Sequence, residues 1–402
     1  MIPLLGLGPL FALDCVVTAR KWTTYATRVL FVGLLLLALG VTWSQEVAGR
    51  ALTTYADLAR VGQALFVATV LTQLSLVLLI APVSAAVSFC EDKQRGFLPL
   101  ILMTTLSARE IVLGRLASRL VPVLTLVGCT LPVMSISSLL GGIDPEAVWL
   151  ASFITIGAAV ATTALGLVVS VFVAKSHEAV MALYLMEAIW LLPSLFNMIV
   201  GRGGVLNWLQ SWRVFEVWVT WLNPFWVALS PVHRLSATHL IDGVYYCAAG
   251  LAVAAILAVV AGLALRPMGR LDASRAAVRR SALETWSHRL ERAWLLAPWR
   301  PTLDDHPALW RELRRVGLSR LGWLVWGVYL GIAGVASLLL AVGEANRGTL
   351  GPRAILGALL NGTQVTFGLL LVSVSSATLM GEERALGKLD VLRATLLTSW
   401  EI

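Results

Sequence analysis

Long apolar runs, separated by short polar or charged stretches, set the plan of this chain. The runs cover about 28–44, 62–87, 118–140, 147–173, 180–200, 241–265, 321–342 and 355–379. Such runs are long enough to cross a hydrocarbon core about 30 Å thick. In lipid each span must satisfy its own backbone, so helices are the default, and the alternating ten-residue strands of a barrel are absent. The pattern predicts an all-α polytopic membrane protein with about eight transmembrane helices. Composition agrees: 58% of residues are hydrophobic and 13% charged, where a soluble domain carries about 25% charge. Residues 1–27 lack a basic leading region, so a cleavable signal peptide is not expected.

The polar stretches orient the spans. Residues 9–27 mix apolar positions with Asp14, Arg20 and Lys21, and Trp22 and Tyr25 follow at the expected membrane boundary. That suits a helix on the cytoplasmic surface feeding the first span. Residues 45–60 are expected outside. The stretch after the second span carries Glu91, Asp92, Lys93 and Arg95, with Arg109, Arg115 and Arg119 close behind. A tight turn, GGIDPE (141–146), precedes a fourth span rich in Gly, Ala, Ser and Thr, residues that allow close helix packing in lipid. A short loop at 174–179 leads to the fifth span. Residues 208–226 hold Trp208, Trp212, Phe215, Trp218, Trp221, Phe225 and Trp226, broken by Asn223 and Pro224. This density marks a membrane–water interface and predicts an outer-face interfacial or re-entrant helix pair. Residues 266–320 contain 12 Arg, no Lys and 6 acids, and read as a cytoplasmic linker with helical parts at 273–295. With the N-terminus cytoplasmic, every strongly basic loop falls inside. The net charge of +8 is explained by that bias, so a nucleic-acid partner is not expected.

One polar segment occurs twice. Residues 91–111 (EDKQRGFLPLILMTTLSAREI) align with 382–402 (EERALGKLDVLRATLLTSWEI) at a shift of 291, with seven identities in 21 positions. The pairs include Glu91 with Glu382, Gly96 with Gly387, Thr104 with Thr395 and Glu110 with Glu401, and Asp92 and Lys93 meet Glu383 and Arg384. Identities of this kind at one shift indicate a duplicated unit.

Familiar chemistry is missing. The chain has no GxxxxGK[ST] loop, no HExxH, no CxxC and no GxSxG. Its four cysteines (Cys15, Cys90, Cys129, Cys247) lack metal-like spacing, and His233 and His239 are poorly spaced for one helical face, so no metal site is expected. Glu187 is the one carboxylate well inside a span, which makes it an intramembrane acid candidate; pairing with a helix neighbour or a water is the alternative.

From Glu91 onward the chain resembles the permease subunits of the second class of ABC exporters. Those carry a segment like EE[KR]xxGTLxxLLxTPLSxxEIxxGK between spans two and three. Here it reads Glu91, Asp92, Lys93, Gly96, Leu98, Leu102, Thr104, Leu106, Ser107, Glu110, Ile111, Gly114 and Arg115, with Asp92, Phe97, Ile101, Thr105 and Arg115 as departures. Pro307, Trp310, Arg311 and Glu312 match a PxxWKE box that opens the second half in the family, with Arg311 in place of Lys, and Pro9 and Asp14 echo its spacing. The resemblance implies that Glu91, Asp92, Lys93, Arg95, Gly96, Leu98, Thr104 and Glu110 form a coupling helix against a separate ATPase subunit. Leu98, Leu100, Ile101 and Leu102 would hold it to the permease core, and Gly96 would allow the turn. Glu382, Glu383, Arg384, Gly387 and Glu401 would be its second copy. Pro9, Asp14 and Arg20, with Pro307, Trp310, Arg311 and Glu312, would belong to the surface elbow helices. ATP would bind the partner, and this chain would hold no cofactor.

The resulting expectation is a first permease half at 1–265, a basic linker at 266–303 and the start of a second half at 304–402, ending at 402 as a fragment or split gene. The chain would be the membrane part of an ATP-driven exporter in a bacterial-type inner membrane. Its partners would be the ATPase, lipid, and a second permease chain or the remainder of the second half. The alternatives are a non-transporting scaffold and a lipid-handling membrane protein or enzyme.

Overall fold

In a computed structural model, residues 8–47, 54–173, 175–200, 221–233, 240–294, 324–334 and scattered positions between 337 and 373 are described, with backbone alone at 192–200 and 270–294. Among the described residues every regular element is a helix, as the apolar pattern requires. They are α1 (Gly8–Arg20), α2 (Trp22–Val47), α3 (Tyr55–Arg95), α4 (Phe97–Leu102), α5 (Ala108–Leu139), α6 (Pro145–Phe172), α7 (Ser176–Val200), α8 (Pro224–Ala228), α9 (Ser230–His233), α10 (Leu240–Trp294) and α11 (Leu324–Gly334). Five of them, α2, α3, α5, α6 and α10 as far as Gly269, are long and apolar enough to span a membrane. The chain is thus a multi-pass all-α membrane protein.

Local chemistry sets the helix ends. Thr54 and Asp57 form a capping box at the start of α3: the Asp57 amide donates to Thr54 Oγ1 at 3.3 Å, and the Thr54 amide donates to Asp57 Oδ2 at 3.2 Å. Ser107 and Glu110 repeat the device for α5, at 3.2 and 2.8 Å. The expected turn at 141–146 is present. Gly141 and Gly142 take φ of 88° and 83°, which only glycine adopts without strain, and Pro145 opens α6 at its first turn.

Helix α6 is the centre of the bundle. Its apolar window is 78% buried, against 11% for α2 and 22% for α10, so the latter two face outward. Small residues explain the central place. A Cβ on Gly157 would sit 2.8 Å from Cys247 Cα of α10, and one on Gly166 would sit 2.5 Å from the Pro82 carbonyl oxygen of α3. Only glycine permits those backbone approaches. Larger side chains fill the bundle on both sides of this contact: Phe89, Leu98, Ile111, Leu116, Leu167 and Leu265 at one end, and Phe66, Leu74, Met134, Leu150, Ile154 and Val227 at the other. Leu30, Leu37, Ile256, Val259 and Leu263 point outward as a lipid-facing surface.

Two expectations change, and a third holds. Helix α7 begins at Ser176, so the loop before it is shorter than 174–179. The sixth span ends close to the expected 265, at Gly269, but the helix does not: α10 continues through Pro267 to Trp294, without a break into the Arg-rich stretch. Proline breaks a helix only if the lost hydrogen bond and the ring clash are not accommodated, and membrane helices tolerate it. The break expected at Asn223 and Pro224 is present: Trp221 and Leu222 end a π-helical turn, Asn223 leaves the helix with φ −82° and ψ 117°, and a new helix starts at Pro224. Asn223 Oδ1 accepts from the Phe225 and Trp226 amides, at 2.8 and 3.4 Å, and Pro224 occupies the first turn, so the pair starts α8. Pro224, Val227 and Ala228 are buried, and Val227 and Ala228 join the core near α3 and α6, while Trp221 is exposed. Trp208, Trp212, Phe215 and Trp218 lie outside the described residues.

Candidate functional site: the basic end of the bundle

The segment 91–111 is not one helix but a relay of three pieces. Glu91, Asp92, Lys93 and Arg95 are the last turn of α3. Gly96 closes that helix in the left-handed conformation, φ 72°, and its amide reaches the Asp92 and Lys93 carbonyls. The chain then turns directly into α4, and Ser107 restarts it as α5.

Helix α4 has two faces. Leu98 is buried, and Ile101 and Leu102 pack against the core cluster. The other face presents Phe97, Leu100 and Met103, exposed by 51%, 59% and 82%, with Arg95 and Arg109 also exposed nearby. Leu100, expected to hold the segment to the core, therefore points outward; at three-residue spacing it shares the face of Phe97 and Met103. Thr104 is exposed, and its hydroxyl donates to the Ile101 carbonyl at 2.6 Å. The Arg266 guanidinium of α10 donates to the Leu106 carbonyl at 3.4 Å, so α10 also braces the segment.

Arg115 ties the end together. Its guanidinium pairs with Asp92 of α3 and lies 3.6 Å from Asp14 of α1. It also donates to Ser88 Oγ and the Ser88 carbonyl, at 2.9 and 3.3 Å, and stacks 5.3 Å from the Phe89 ring centre. At 6% exposure it is nearly out of solvent. One guanidinium with several donors in a rigid plane can hold two carboxylates from two helices at once, which an ammonium does less well. Asp14 and Asp92, expected in separate elements, are thus brought to a single charge. Arg115 appeared in the sequence only as a substitute for Lys; its burial beside two acids was not legible there. Burial, and the Asp14 charge next, push the Cys15 thiol of α1 up.

Lys93 is bound as well. Its ammonium donates to the Val171 carbonyl and, at 3.1 Å, to the Val173 carbonyl, at the end of α6. Cations at a helix C-terminus satisfy its last carbonyls and its dipole. Cys90 Sγ lies 3.4 Å from the same Val173 oxygen. Glu110 caps its own helix, while Glu91 is half-buried and Arg95 exposed.

In α1, Leu10, Asp14 and Thr18 are half-buried and Leu10 joins the core, while Leu13, Val16 and Val17 point away from it. Pro9 and Arg20 are exposed at the two ends. Pro307, Trp310, Arg311, Glu312, Glu382, Glu383, Arg384, Gly387 and Glu401 lie outside the described residues.

Glu187 sits in α7 at 6% exposure, and its Oε1 has no hydrogen-bond partner among the described residues. Gln73 of α3 is fully buried with neither side-chain polar atom paired, a second intramembrane polar site that the apolar pattern hid. Tyr184 links the same two helices by donating to the Leu79 carbonyl at 2.9 Å. Comparison with protein-family models gives no match, and comparison with curated proteins gives none.

Proposed function

We propose that this chain is the membrane-spanning permease subunit of an ATP-driven ABC exporter, acting with a separate ATPase subunit in a bacterial-type inner membrane with its N-terminus cytoplasmic. The observation that supports this reading is α4: a short surface helix with an exposed apolar stripe, held through the residues on either side of it by Arg115 and α10. A push on such an element passes to α3 and α5 together, because Asp92 precedes it and Arg115 follows it. Rigid elements moving as units are how closure of soluble domains becomes reorientation of spans. Sequence supports the same reading through the likeness of residues 91–115 to the coupling segment of those permeases and through the lack of a P-loop in this chain. Fused or paired permease halves would complete the pathway.

The test is co-purification from native membranes. Phe97→Ser with Met103→Ser removes exposed apolar surface without touching Leu98. The expected result is recovery of an ATPase with the wild-type chain and its loss with the variant, at equal membrane insertion. Equal recovery from both would refute docking through α4.

A further inference from the structure

A cavity of about 190 Å³ opens at the basic end, between the α1–α2 junction, α3 and α5. One water needs roughly 10–15 Å³ on the same measure, so the space holds far more than a single water. Three cations line it: Lys21, Arg28 and Arg119. No carboxylate does. Below them the wall is apolar, made by Ile80, Val123 and Leu126. The Nε atoms of Arg28 and Arg119 are buried without a hydrogen-bond partner. Asp14 and Asp92 face Arg115, and with Glu91 they act on Arg119 only from beyond 4 Å among the described residues. Thr24, Thr27 and Ser84 also reach the cavity, but their hydroxyls donate to the Thr18, Thr23 and Ala81 carbonyls. The cations are thus the charged donors facing the cavity, with the Thr18 and Thr23 hydroxyls beside them and Arg28 also 6.0 Å from the Tyr25 ring centre.

We infer that this cavity binds the phosphate of an anionic phospholipid, with Lys21, Arg28 and Arg119 on the headgroup and an acyl chain along Ile80, Val123 and Leu126. Cations above an apolar wall match a headgroup above its tail, and buried guanidinium donors without partners need an acceptor. Depth agrees as well. Trp22 and Tyr25 are exposed by 79% and 55% at the same junction, where amphipathic rings sit at the headgroup level. Basic pockets between membrane helices hold anionic headgroups on this principle. Packed between α1, α2 and α5, the lipid would join the surface helix to the first span. The inference holds whichever soluble partner the chain has.

The experiment is native mass spectrometry of the full chain, delipidated in detergent and titrated with phosphatidylglycerol, with phosphatidylcholine, or with inorganic phosphate. Wild type is expected to retain one phosphatidylglycerol selectively over phosphatidylcholine and to ignore phosphate. Each cation near a headgroup contributes roughly a fivefold change in affinity. Arg28→Gln with Arg119→Gln should therefore weaken retention roughly 25-fold, while Arg20→Gln with Arg95→Gln, outside the cavity, should leave it unchanged. Lys21→Gln, at an exposed position that packing does not need, should weaken retention roughly fivefold even if the double variant fails to fold. Equal retention of both lipids, equal loss in the control pair, or saturation by free phosphate would each overturn the assignment.

Discussion

Arg115→Leu removes the guanidinium that pairs with Asp92 and lies 3.6 Å from Asp14, and leaves the two carboxylates with only the more distant Arg119 charge. Removing one partner of a buried pair costs about 3–5 kcal/mol. The Asp14 and Asp92 side chains keep 20% and 15% exposure, so water partly compensates, and the low end of that range, about 3 kcal/mol, applies. The Ser88 carbonyl and hydroxyl lose their donors as well. Leu returns part of the packing of the arginine stem against Phe89, which keeps the loss from rising further. At about 2 °C per kcal/mol for a chain of this size, the melting midpoint should fall by about 6 °C. The assay is unfolding in detergent followed by tryptophan fluorescence. Arg115→Leu with Asp92→Asn should recover about half of the loss, since Asp14 alone then stays unpaired. Arg109→Leu is the control, because Arg109 is exposed and forms no ion pair within 4 Å among the described residues, and its cost should stay under about 1 kcal/mol. If Arg115→Leu and Arg109→Leu cost the same, or if Asp92→Asn adds its full cost to Arg115→Leu, the three-helix tie is wrong.

Gly250→Ala should destabilise by about 1–3 kcal/mol, because its Cβ would sit 2.9 Å from Gly157 Cα, a backbone atom that cannot step aside. Gly33→Ala in α2, with open space around it, should instead be neutral or gain up to about 1 kcal/mol from helix propensity, and the same melts compare the two. Gln73→Leu should hold or raise the unfolding midpoint, since it removes two buried unpaired polar atoms; a fall of several degrees would mean that Gln73 has a partner outside the described residues. Cysteine-accessibility labelling in sealed vesicles should place residue 280 on the same side as Arg95 and residue 210 on the opposite side; both on one side would refute the alternation of the spans.

Hydropathy alone determined that this is a helical membrane protein and placed the spans α2, α3, α5 and α6, because lipid demands long apolar helices and leaves few alternatives. Local signals were legible too. Ser107 three residues before Glu110, and a glycine after the charged turn at Gly96, define helix ends through bonds within a few residues. The small residues of the fourth span announced close packing, but their partners, Gly157 on Cys247 and Gly166 on Pro82, were decided by the tertiary structure. The same is true of charge. Asp14, Asp92 and Arg115 are separated by 78 and 23 positions, and no periodicity links them; only the fold of α1, α3 and α5 onto one another sets both acids at one guanidinium. Lys93 read as a base offered to a partner, yet the packing of α3 on α6 gives it two carbonyls to satisfy. Leu100 read as core and faces outward, because a six-residue helix has room to bury only one side. The sequence by itself thus specified the solvent each segment prefers and, where a capping signal is present as at Gly96 and Ser107, where a helix starts or stops, since both depend on near neighbours along the chain. The end of α10 carried no such signal. Which charges are paired inside the bundle, and which remain at its surface, depended on contacts between distant segments, and so only the tertiary structure decided them.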